Sequence, residues 1–224
     1  MTASLPFIVA LALVASCARS AAAPPASSVP ASPAAASAQP AVRGVLAPLA
    51  AQPLVVLPVQ GLRLTVAGWS DKVGDPRAYL ATVDDEIAFA VGERGVRARW
   101  AFAPDLARSA RRNPSYATDP YAIALDPLTK AERDPDAIIA EPLAGQLRAL
   151  AGLWDARYAL VPVEMRLAPA ENGGRPVIHL VLVDVRESRV TWKGDVTGDL
   201  AREFSPAIAA GIAGRVADLF ITAR

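Results

Sequence analysis

Arg157-Tyr158-Ala159-Leu160-Val161-Pro162-Val163-Glu164-Met165-Arg166-Leu167, then Val177 to Arg186 (VIHLVLVDVR), then Arg189 to Thr197 (RVTWKGDVT), are three apolar segments of strand length with no helical stretch between them. Turn residues mark both joints. Glu171-Asn172-Gly173-Gly174 reads as a hairpin loop, and Glu187-Ser188 turns the second strand into the third. In the third strand Val190, Trp192 and Val196 alternate with Thr191, Lys193, Asp195 and Thr197, so one face is expected to be wet, with Trp192 the largest inward residue.

Working outward from this meander, Leu54-Val55-Val56-Leu57-Pro58-Val59 is an apolar run without alternation, as in a strand covered on both faces, and Pro58 ends or bulges it. Asp75-Pro76 supplies an N-cap and a proline at the first helical position. Leu80, Val83, Ile87 and Val91 then follow at helical spacing until Gly95. Val96 to Phe102 alternates apolar residues with arginine, predicting a half-exposed strand, and strand-helix-strand implies a parallel crossover. Asp105 to Arg112 reads as a short basic helix. Asn113 to Asp134 has little periodicity and contains or abuts four X-Pro pairs, which marks it as functional or mobile. A helix carries Leu143, Leu147 and Leu150 on one face, with Pro142 near its start and Gly152 as its stop; Ser205-Pro206 caps a closing helix with Ile208, Ile212, Val216 and Leu219 inward. The expected fold is a single α/β domain over 53–222, a five-stranded mixed sheet with helices packed against it, in the order β-α-β-α-α-β-β-β-α.

The length of 224 residues fits one such domain plus appendages. Leu5 to Ala15 is an apolar run of signal-peptide length, well short of the ~20 residues that span a bilayer. Val14-Ala15-Ser16-Cys17 follows, with Cys17 the only cysteine, and it looks like the acceptor of bacterial lipoproteins. Residues 1–16 are therefore expected to be a signal peptide and Cys17 a lipidation site. The alternative is an ordinary signal peptide cut after Ala21-Ala22-Ala23, and the lack of Lys or Arg before the apolar run leaves it open. Either way the chain is exported. Ala18 after the cysteine, by resemblance to proteobacterial sorting, points to the outer membrane. Ala, Pro, Ser and Val dominate from Ala18 to Gln52, so residues 17–52 are expected to be a disordered tether with a reach of about 100 Å if fully extended.

Ala156-Arg157-Tyr158-Ala159-Leu160-Val161, Leu180 to Arg186 (LVLVDVR) and Val190-Thr191-Trp192-Lys193-Gly194 resemble the C-terminal half of a superfamily of bacterial envelope domains. It includes the TolB amino-terminal domain, the curli-export lipoprotein CsgG and the lipoprotein activators of penicillin-binding proteins. Leu54 to Val59 is similar to that superfamily's first strand. Glu187-Ser188 departs from its usual Thr-Gly turn, and 103–135 has no counterpart in it. The resemblance implies a mixed sheet without catalytic residues, working by protein contacts in the envelope, and its members do unrelated jobs.

Net charge is +1 with the single histidine neutral, so no global field points to nucleic acid. His179, with no Ser, Cys or second His at motif spacing, reads as structural, near a strand end, and one His with one Cys cannot build a zinc site. Asp84-Asp85-Glu86 reads as a solvated helix face, and Asp184 as a residue that binds turn amides. Arg94, Arg97, Arg99, Arg108, Arg111 and Arg112, with Trp100 and Phe102 interleaved, form the densest cationic run; a plain solvated face and a contact with an acidic partner or lipid headgroups are its two readings. Arg108, Arg111 and Arg112, with Tyr116 and Tyr121 as apolar anchors, form the expected partner-binding set. No cofactor, metal or enzymatic activity is expected. The expected function is a membrane-anchored, periplasm-facing binding or assembly module with an envelope protein partner. The alternatives are a subunit of a secretion or transport assembly and a periplasmic hydrolase using Asp or Glu.

Overall fold

A computed structural model describes residues 44–221 except 97, 98 and 135. The signal segment, Cys17 and Arg97 lie outside the described residues. Six strands form one open sheet: β1 (Leu54–Val56), β2 (Leu62–Leu64), β3 (Trp100–Ala101), β4 (Tyr158–Ala170), β5 (Gly173–Asp184) and β6 (Arg189–Thr197). Their order is β3-β1-β4-β5-β6, with β2 pairing the outer half of β4. β1 is parallel to β3 and β4, whereas β5 and β6 continue antiparallel, so the expected crossover and meander are both present.

The sixth strand comes from the break at Pro58. β1 pairs with Tyr158 to Leu160 and β2 with Met165 to Leu167, so they are two parts of one line along β4, interrupted where proline has no N–H to give. β4 answers with an irregularity between Pro162 and Glu164. β3 is shorter than the expected Val96–Phe102 strand, and Trp100, Ala101 and Phe102 are all buried rather than alternately exposed.

Helices cover both faces, which explains the non-alternating apolar runs. α2 (Pro76–Glu93) and α6 (Ala207–Ala217) enclose Leu54, Val56, Leu180 and Leu182 on the first face. α3 (Ala103–Arg112), α4 (Asp126–Ala131) and α5 (Leu143–Gly152) enclose Val55, Leu57, Val181 and Val183 on the second. α1 (Ser70–Val73) is a single turn. As read from sequence, Asp75 caps α2, accepting from Arg77 N at 3.0 Å with Pro76 following. Among the described residues no helix is long and apolar enough to cross a membrane.

The structure corrects four further expectations. Gly44 N and Leu46 N donate to Asp218 O and Leu219 O at 2.9 Å, and Leu46 is buried, so residues 44–52 belong to the folded unit rather than to the tether. The first hairpin turn is only Glu171-Asn172, with Asn172 at φ 62°, while the second takes four residues, Val185 to Ser188. A bulge at Thr191 sets Leu182 opposite Trp192 but Val183 opposite Val190, so Val190 packs on the second face and Trp192, half-buried, on the first. Finally, the described part of the middle region, 103–134, is packed structure: Leu106, Ala107, Ala110, Ala117, Ile123, Leu128 and Ala131 are all buried.

Candidate functional site

The second face places most of the expected partner-binding residues. Phe102 is the N-cap of α3, Pro104 lies in its first turn, and its buried stripe of Ala103, Leu106, Ala107 and Ala110 leaves Arg108, Arg111 and Arg112 outward. Arg108 pairs with Asp105 one turn back at 2.9 Å. Among the described residues Arg111 and Arg112 form no ion pair. Tyr116 is 58% exposed, and its hydroxyl rests 2.8 Å from where a Cβ on Gly152 would stand, so glycine at the end of α5 makes room for it. Tyr121 is 49% exposed, in a turn fixed by buried Pro120 and by Asp119 Oδ1, which accepts from Tyr121 N at 3.1 Å.

This turn meets α2 and the β1–β2 corner around a cleft of about 570 Å³, lined by Val59, Gln60, Arg77, Leu80, Ala81, Asp119, Tyr121 and Ala122. Gln60 Nε2 bridges the two sides, donating to Pro58 O at 2.9 Å and Pro120 O at 3.2 Å. At the corner the Val59 amide turns to Asp84 Oδ1 at 2.8 Å. Asp84 is buried, which overturns its assignment to a solvated face; Asp85 is exposed and Glu86 half-buried. Burial pushes the Asp84 carboxyl up to about 7, against the Val59 hydrogen bond and with help from the Asp85 charge. Its Oδ2 has no hydrogen-bond partner among the described residues. Tyr121 is pushed up to about 12 by burial of its hydroxyl and then by the charges of Asp84, Asp85 and Asp119, with Arg111 acting the other way. Tyr121 is thus the one expected anchor that joins both this acidic corner and the arginine helix.

The remaining candidates are structural. Trp100 is buried against Phe220 and Phe102, and Phe102 is buried as well, so these two rings form no exposed surface with the neighbouring arginines. Arg94 ties α2 to α6 through Asp218 at 2.9 Å and the Gly214 carbonyl at 3.1 Å, leaving Arg99 as the described exposed arginine of that stretch. His179 stands within β5, not near its end, opposite Asp195 of β6. Its ring nitrogens lie 2.6 Å from Asp195 Oδ1 and 2.6 Å from Glu132 Oε1, just past α4. Burial lowers its affinity for a proton, but the two carboxylates outweigh burial and raise it. Asp184 does bind turn amides, accepting from Arg186 N at 3.0 Å and Glu187 N at 3.3 Å, and also pairs with Arg157 at 2.6 Å.

Asp84 is the residue that sequence reading missed, although a signal existed. It lies four residues after Leu80, three before Ile87 and seven before Val91, inside the apolar stripe of its own helix. Pro58 had already marked the strand break that leaves an amide in need of an acceptor.

The chain matches no protein-family model and no curated protein. Among solved structures it is similar to the LpoB C-terminal domain from Escherichia coli, with 10% identity over 70% of this chain and 96% of that one, at a TM-score of 0.34. It is also similar to Escherichia coli LpoB solved by NMR (16% identity, 85% and 83% covered, TM-score 0.35) and to the PelC dodecamer from Paraburkholderia phytofirmans (15%, 84% and 96%, 0.32). At such scores these likenesses bring no function to this chain.

Proposed function

We propose that this chain is a cell-envelope lipoprotein whose domain is a non-catalytic binding or assembly module. Residues 1–16 direct export, Cys17 carries the lipid that holds the protein to the outer membrane facing the periplasm, and the Ala/Pro/Ser segment lets the domain reach a protein partner. The observation that supports the binding role most is the display of half-exposed Tyr116 and Tyr121, with exposed Arg111 and Arg112, on a segment otherwise packed into the second face. Tyrosine and arginine held on a rigid base bind with little ordering cost, and Arg108 completes the set. The lipobox pattern and the resemblance on Leu54–Val59 and Ala156–Gly194 support the envelope reading.

Fractionation of intact envelopes tests the anchor and the partner together. The wild-type protein is expected in the membrane fraction after a high-salt wash, with a protein partner recovered by cross-linking. Cys17→Ser is expected in the soluble periplasmic fraction with the same fold. Retention of the Cys17→Ser variant on membranes would overturn the lipid anchor, and a chain that cross-links to no envelope protein would overturn the binding role.

A further inference from the structure

We propose that the cleft between α2 and the 119–122 turn receives the ammonium group of a lysine side chain from a protein partner, with Asp84 as its counter-charge and Tyr121 as the side chain that moves to admit it. This deepens the binding-module reading and rests on it. Asp84 is 5% exposed and has one oxygen engaged by Val59; the other is buried without a donor, a state that folded proteins seldom leave unexplained. Asp84 does not itself line the cleft; it is tied to the wall through Val59, whose amide donates to its Oδ1 at 2.8 Å. On α2 it follows Arg77, Leu80 and Ala81 by seven, four and three residues, so it lies on the helical face of these three lining residues.

The occupant follows from the chemistry of this wall. A single free carboxylate oxygen suits a point charge, whereas a guanidinium seeks two parallel acceptors. Leu80, Ala81, Val59 and Ala122 offer apolar contact to a methylene stem ahead of that charge. Asp84, Asp85 and Asp119 make the field at Tyr121 negative against Arg111, and Arg77 stands about 10 Å along the helix at the other end. Tyr121 is held by its backbone to Asp119, and its side chain is half-exposed.

The test is a titration of the intact protein in detergent with n-butylammonium, read by the amide resonances of Val59 and Tyr121 at constant ionic strength. A saturable shift is expected, at least tenfold weaker with methylguanidinium and with phosphoethanolamine. Asp84→Asn keeps an acceptor for the Val59 amide and should abolish the shift; Tyr121→Ala should lower the half-saturating concentration. If Asp84→Asn does not fold, Tyr121→Trp, which narrows the entrance, must weaken binding at least tenfold. Absence of a saturable shift, or an unchanged one in Asp84→Asn, overturns the site. Equal binding of methylguanidinium overturns the choice of lysine, and tighter binding of phosphoethanolamine moves the site to lipid headgroups. Partner recovery from envelopes is scored separately, so the ammonium site can fail while the binding-module reading stands.

Discussion

The two faces of the sheet are covered in different ways. On the first, α2 and α6 run 18 and 11 residues and meet the strands with Val83, Ile87 and Val91 from one side and Ile208, Ile212 and Val216 from the other. On the second, helices of 10, 6 and 10 residues are joined through proline turns, and alanines make up much of their buried surface. Helices this short are marginal by themselves and depend on docking. Polar ties hold them: His179 between Asp195 and Glu132, Lys193 donating to the Glu132 carbonyl, Arg189 to that of Asp136, and Ser188 joining Arg148 and the Ile139 amide at 2.7 Å each. A cover assembled from short pieces needs such site-specific contacts. On its outer side stand the tyrosines and the two arginines that form no ion pair among the described residues.

The largest effect should be the same on both faces. Ile212→Ala on the first and Leu128→Ala on the second each empty a fully buried site, and each should cost about 2–5 kcal/mol in denaturant unfolding. A cost below about 0.5 kcal/mol for Leu128→Ala would mean that the second cover is a loose loop. The faces should differ in local opening: α3 and α4 amides should exchange hydrogen at lower free energy than those of α2.

His179→Gln should cost about 2 kcal/mol at pH 6, since it removes a charge-assisted tie to two carboxylates. The folded state raises the affinity of this ring for its proton above the ordinary 6.5. Its stabilising contribution is therefore complete below 6.5 and lost as pH rises through the higher folded value. Wild type minus variant stability, measured from pH 6 to 9, should shrink with rising pH; a constant difference would show that the ring acts only by packing.

Asp84 has the opposite origin and the same direction in pH. Its carboxyl moves from 3.8 when unfolded to about 7 when folded, so the native state binds the extra proton and stability falls as pH rises between those values. Asp84→Asn should consequently be neutral near pH 4 and stabilising by roughly 1–3 kcal/mol at pH 8. Destabilisation at pH 8 would mean that the ionised form is satisfied by a group outside the described residues.

These contrasts also explain how much could be read from the chain. The first face was legible because α2 and α6 repeat large aliphatic residues at 3.6-residue spacing and Asp75-Pro76 announces α2; Ser205, expected to cap α6, makes no capping hydrogen bond, and the helix begins at Ala207 with Pro206 at its N-cap. The meander was legible through Asn172-Gly173 and the Asp184 turn. On the second face α3 and the Leu143, Leu147 and Leu150 stripe of α5 were legible, but α4 and the packing of 113–131 were not, because Ala117 and Ala131 carry much of it and alanine gives a weak period. Trp100 and Phe102 misled by lying next to arginines while pointing into the core, and Val190 by a bulge that period-two counting cannot register. Of the candidate site, Tyr116, Tyr121 and the arginines were visible as residues out of keeping with a core. The cleft was not, since it joins residues 59, 81 and 121, and no local pattern brings such distant positions together.

The central claim is that recognition lies on the outward side chains of the second cover, and it is tested most directly by replacing Arg108, Arg111, Arg112, Tyr116 and Tyr121 with alanine together, anchor retained, and cross-linking in intact envelopes. Unfolding free energy should stay within about 1 kcal/mol of wild type, as for surface changes, and the partner should no longer be recovered. A folded variant that recovers the same partner at wild-type yield would contradict the account and put the interface elsewhere on the domain.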